Sequence, residues 1–98
     1  MGSEDLPPEL VAIFLTSLGK AAARLESAMA ERDLEDVSFQ AHAMRGTCAA
    51  YGHAELSRQA GAVEDAADTA QLEVTEAALA IFLASARQLL NDHGGGRP

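Results

Sequence analysis

An all-α fold, an up-down antiparallel four-helix bundle, is what this sequence predicts, and three observations predict it. Apolar residues recur at intervals of three and four along most of the chain, the spacing of one helix face. Proline stands only at Pro7, Pro8 and Pro98, so no proline interrupts a helix between them. Strand signals are missing, with no alternating β-branched runs and no Asn-Gly or Asp-Gly turns. A chain of 98 residues has room for one modest core. Hydrophobic content is 48%, yet the aromatics are only three Phe and one Tyr, so the core is expected to be Ala, Leu, Val and Met.

The first helix is expected from about Pro8 to Arg32, since proline is tolerated in a first turn. Val11, Phe14, Leu15, Leu18, Ala22, Leu25 and Met29 form its apolar stripe, with Gly19 a weak point and a possible bend. Asp33 is the N-cap candidate of the second helix, with Asp36 three residues on. Its stripe is Leu34, Val37, Ala41, Met44, Cys48 and Tyr51, and Gly52 ends it. The third helix turns Leu56, Ala60, Val63 and Ala67 inward. A fourth follows a Thr69 cap over about residues 71 to 91, with Leu72, Leu79, Phe82, Leu83, Ala86, Leu89 and Leu90 inside. Short corners make consecutive helices antiparallel. The bundle is expected over residues 8–91, with flexible termini at 1–7 and 92–98. Four helices can close one core alone, so a monomer is expected. Ile13, Val74 and Ile81 stand out as surplus apolar residues.

Formal charge is −8, from 15 acids against 7 bases, which argues against a nucleic-acid partner. No apolar run approaches the length of a membrane span, and the start lacks the pattern of a signal peptide. The single cysteine, Cys48, cannot form an internal disulfide, which fits a cytoplasmic protein. Cys48 falls on the apolar stripe and His42 does not, so a metal site from His42, Cys48 and His53 is not expected. His53 and His93 are expected in solvent.

His42 is the residue to explain. At 100° per residue it lies roughly 130° from the middle of the second helix's apolar stripe, outside the core. Ser38, Phe39, Gly46 and Ala49 share its side, and Arg45 lies between that side and the core edge. Helical side chains lean toward the N-terminus, so a side chain at 46 would lie over the imidazole, and glycine leaves the ring uncovered. Arg45 leans back from three residues on and can bring its guanidinium near. An accessible imidazole beside a cation suits a transferable anion, phosphoryl above all. His42 is ten residues before Gly52 and Glu64 twelve after it, so an antiparallel hairpin brings the two nearly level. A carboxylate accepting from one ring nitrogen would fix the tautomer and leave the other nitrogen's lone pair outward, as an imidazole nucleophile requires. Phe39 reads two ways, as half-buried against the first helix or as part of a docking patch.

The set Ala41-His42-Ala43-Met44-Arg45-Gly46-Thr47, then Gly52, Leu56 and Val63-Glu64, resembles the histidine-containing phosphotransfer (HPt) domain of bacterial two-component phosphorelays. One substitution separates it from the family pattern, Arg45 where lysine is usual. The resemblance implies that His42 accepts a phosphoryl group from the aspartate of one receiver domain and passes it to another. Arg45 would supply phosphoryl electrostatics, Gly46 steric access and Glu64 the orientation of His42, with Ser38, Phe39 and Ala49 meeting the partner. Its partners would be receiver domains of a hybrid histidine kinase or a response regulator. It implies no kinase activity, no nucleotide site and no cofactor of its own, the magnesium belonging to the receiver. The phosphoacceptor domain of chemotaxis-type kinases shares the histidine, the basic residue and the glycine, and stands as an alternative. A helical interaction or dimerisation module without phosphorylation is a third.

Overall fold

The computed structural model describes residues 6–95, in four helices: α1 (Pro8–Ala30), α2 (Leu34–Ala50), α3 (Ala54–Asp68) and α4 (Leu72–Leu90). No strand occurs among the described residues. Each helix packs on the next, and α1 meets α4 to close the ring, so that α2 and α4 stand diagonally. The fold is the expected all-α four-helix bundle.

All three corners are built the same way, although only one of them holds a glycine. At the first, the Arg32 N–H donates to the Met29 carbonyl (2.9 Å) and the Asp33 N–H to that of Ala28 (2.9 Å). At the second, Gly52 donates to Ala49 (3.1 Å) and His53 to Cys48 (2.8 Å). At the third, Ala70 donates to Ala67 (3.0 Å) and Gln71 to Ala66 (3.1 Å). This paired pattern is the Schellman motif, which needs one residue in the left-handed region. Gly52 takes it at φ 85°, and Arg32 and Ala70 take it at φ 57° without glycine's freedom. Each motif spends three residues and ends a helix sharply, so the next one starts at once and runs back.

The third corner corrects the cap expected at Thr69. Thr69 closes α3 instead, and its hydroxyl donates back to the carbonyls of Asp65 (3.2 Å) and Ala66 (3.1 Å). The left-handed turn at Ala70 moves the start of α4 to Leu72, with Gln71 as an N-cap that makes no side-chain cap bond. At α2 the expected cap is present, the Asp33 carboxylate accepting from the Asp36 N–H at 3.1 Å. Helix α1 runs unbroken through Gly19.

Phe14, Leu18, Leu25, Val37, Cys48, Val63 and Phe82 are the largest apolar side chains fully inside, with Ala41, Ala60 and Ala86 between them. Burial pushes the Cys48 thiol up to about 11, so it serves as a small apolar side chain. Thr75 lies fully inside too, and its hydroxyl donates to the Gln71 carbonyl at 2.7 Å, which removes the cost of burying it. His53 departs from its expected place in solvent. It is half-buried and its ring stacks on Phe14, centroids 4.6 Å apart and nearly parallel. Burial lowers its proton affinity, and the neighbouring His93 lowers it further.

Asn91–Gly95, which overlap the end expected to be flexible at 92–98, continue α4 as a π-helical turn. The ends expected to be flexible otherwise fall on residues 1–5 and 96–98, outside the described residues. No described helix is long and apolar enough to cross a membrane.

Candidate functional site

The α2–α3 pair carries the site. Ala41 and Met44 anchor α2 in the core and Val63 anchors α3, which leaves the next residue of each, His42 and Glu64, at the rim of the same groove. The Schellman corner at Gly52 sets the register that makes them level. His42 Nδ1 and Glu64 Oε2 are 2.8 Å apart. The imidazole side chain is 73% exposed and the carboxylate only 14%. A carboxylate accepts and does not donate, so Nδ1 carries the proton and Nε2 keeps its lone pair. The ring therefore stands in solvent with its free nitrogen directed away from the carboxylate.

Glu64 has a second partner. Its Oε1 accepts from the Arg45 guanidinium at 3.0 Å, so one carboxylate joins both side chains of α2. Arg45 crosses to α3 to reach it, and its stem passes over Gly61. A Cβ added at Gly61 would meet the Arg45 Cδ at 3.4 Å and Nε at 3.6 Å. Arg45 and His42 thus share Glu64, with the guanidinium drawn aside onto the acid. Gly61 does not serve close packing of helix on helix here. Its nearest neighbours are instead the stem and guanidinium of Arg45. Nearby, the Ser57 hydroxyl donates to the Arg45 carbonyl at 2.8 Å and ties the two helices at this level.

Gly46 is exposed as expected, but the detail differs. A Cβ there would meet nothing within 4 Å, so a methyl group would not cover the imidazole. The space outside position 46 is open.

Phe39, left between two readings, is 68% exposed, which removes the half-buried one. Ala49 is exposed on the same helix. Ser38 is half-buried and its hydroxyl donates to the Asp68 carboxylate at the end of α3, a partner the sequence did not signal. Cys48 is buried and His42 is not, so they face different surroundings, as their spacing required. The signals that sequence reading missed were Gly61 and Ser57. Both lie one helical turn or two before Glu64 on α3 and are legible only once the hairpin register is known.

An exposed imidazole, oriented by an acid, thus stands on the flank of a four-helix bundle. A model of the Hpt domain family matches residues 9–93, and the chain belongs to that family, the histidine-containing phosphotransfer domains of phosphorelays. No curated protein and no solved structure matches it.

Proposed function

We propose that His42 accepts a phosphoryl group from the aspartyl phosphate of one receiver domain and delivers it to the aspartate of a second. Nε2 attacks phosphorus, the N–P bond forms, and the acyl phosphate P–O bond breaks to return the donor aspartate as a carboxylate. The second transfer reverses these roles. The observation that carries the reading is the 2.8 Å contact between Glu64 and Nδ1 of an imidazole that is otherwise in solvent. It presents the nucleophilic nitrogen without any rearrangement, and it keeps a carboxylate next to Nδ1–H when phosphorylation makes the ring cationic.

Arg45 supplies positive charge within a side chain's length of the transferred group, and the exposed half of its side chain can turn from Glu64 toward it. As a planar fork it pairs with two phosphoryl oxygens at once where lysine would offer a point charge. Gly46 leaves the approach to the ring clear. Phe39, Ala49 and Ser38 border it on α2 and form the surface that a receiver meets. The receiver brings the magnesium, and this chain contributes position and charge. A receiver domain of a hybrid kinase or of a response regulator serves as donor or acceptor, and the transfer takes place in the cytoplasm.

A transfer assay tests this. The chain is mixed with receivers carrying labelled aspartyl phosphate. Label should appear on the chain in an acid-labile, base-stable form and should be absent in His42→Gln. No label from any of several receivers, with the fold intact, would falsify the proposal.

A further inference from the structure

Helix α4 carries more apolar surface than one bundle uses. Residues 77–86, Ala-Ala-Leu-Ala-Ile-Phe-Leu-Ala-Ser-Ala, hold no charge. Leu79, Phe82, Leu83 and Ala86 face the core. On the opposite side Val74, Ala77, Ile81, Ala84 and Gln88 are all exposed and follow one another at three, four, three and four. That is the spacing of a coiled-coil seam. Val74 is 50% exposed and Ile81 58%. A helix apolar on both sides has two faces to cover, and the bundle covers only one of them.

We infer that this outer face of α4 pairs with α4 of a second copy of the chain, antiparallel, about a two-fold axis. Two features select this occupant and orientation. The seam alternates large and small. In one antiparallel register Val74 meets Ala84 of the partner helix and Ala77 meets its Ile81, so every layer sets a large side chain on a small one and the helices close without gaps. A parallel pair would set Val74 on Val74 and Ile81 on Ile81, with alanine facing alanine between them. The flanking charges agree. Glu73 and Arg87 stand two heptads apart on the same edge of the seam. Antiparallel copies bring each Glu73 to within about two residues' rise of the other's Arg87, which pairs them, whereas parallel copies set like on like. Arg87 already binds Glu26 of α1 and remains half exposed. The face is thus complementary to itself, as a two-fold interface requires.

The seam is short and half alanine, so the pairing is weak and reversible, at the small end of specific interfaces. It leaves the relay site clear, because the outer face of α4 points away from the diagonal helix α2. The two His42 rings of such a pair stay open to receivers.

Sedimentation equilibrium of the full chain tests it, over a roughly hundredfold concentration range reaching above micromolar. The expected result is a reversible monomer–dimer equilibrium, abolished in Ile81→Glu and unchanged in Ile13→Glu, an equally exposed isoleucine outside the seam, with far-ultraviolet circular dichroism confirming both folds. Under mild oxidation Val74→Cys/Ala84→Cys should cross-link into a covalent dimer, while Ile81→Cys alone should not. A wild-type monomer at every concentration overturns the proposal. So does a dimer indifferent to Ile81→Glu, and efficient cross-linking through Ile81→Cys alone overturns the antiparallel register. None of these measurements depends on phosphotransfer.

Discussion

Helices α2 and α4 stand diagonally in one bundle and turn similar apolar stripes to one core, but their outer faces differ in kind. On α2 the outward face around the imidazole is polar or bare: His42, Arg45 and the backbone of Gly46 are tied to α3 through Glu64 and Ser57, with the exposed Phe39 at their border. On α4 they are Val74, Ala77, Ile81 and Ala84, bonded to nothing. The difference shows how a core of small residues divides its labour. Stability comes from inward positions that the two helices share. In the proposed reading, reactivity comes from one outward position whose orientation is fixed by the neighbouring helix, and association from outward positions that are merely apolar.

The sharpest break in that comparison is at the sites themselves. His42→Gln should abolish phosphate uptake completely and leave the melting temperature unchanged, because the ring is in solvent, whereas Ile81→Glu should keep uptake intact. Both are read by transfer assay and thermal melt. The next effect sets two neighbours on α4 against each other. Phe82 is fully buried, and Phe82→Ala should cost about 3–5 kcal/mol in denaturant unfolding. Ile81→Ala, one residue earlier and exposed, should stay within about 0.5 kcal/mol for the dilute monomer. Equal losses at the two positions would mean that α4 does not sit as described.

Glu64→Gln is smaller still and acts on rate. It removes the charge that Arg45 and His42 share and no longer dictates the tautomer, so receiver-to-chain transfer should slow roughly tenfold, about 1.4 kcal/mol, with little change in stability. A corner substitution goes the other way. Ala70 holds a left-handed conformation that costs an L-residue, so Ala70→Gly should stabilise the bundle by about 0.5–1 kcal/mol, and Gly52→Ala should destabilise it comparably. The least effect is a pH dependence. The folded state lowers the proton affinity of His53 below the usual histidine value of 6.5. The unfolded chain therefore binds the proton more readily, and stability should fall as pH drops below about 6.5, levelling once the folded form is protonated too. His53→Phe, which keeps a ring on Phe14, should flatten that slope in melts taken across the range.

Much of this was legible in the residues. The apolar stripes named nearly every core position, and the Asp33 cap and the Gly52 stop were visible because their side-chain chemistry is local. The spacing from His42 to Glu64 across Gly52 placed the acid against the imidazole. It could do so because a tight corner leaves little freedom in register, and because each residue follows a buried neighbour. The Thr69 cap and the solvent-exposed His53 were misread for two reasons. The left-handed turns at Arg32 and Ala70 use residues that carry no turn signal, and the stacking partner of His53 comes from a helix thirty-nine residues away.

Sequence by itself therefore determined the helices, the inward faces and the pairing of histidine with acid, all of which rest on periodicity and chain connectivity. Only the tertiary structure decided where Arg45 goes. Its guanidinium could have reached solvent, the ring or α3, and the open backbone at Gly61 together with the second oxygen of Glu64 drew it across the groove. A long side chain's destination depends on what the neighbouring helix leaves empty and what charge it offers, and neither is written in the helix that carries it.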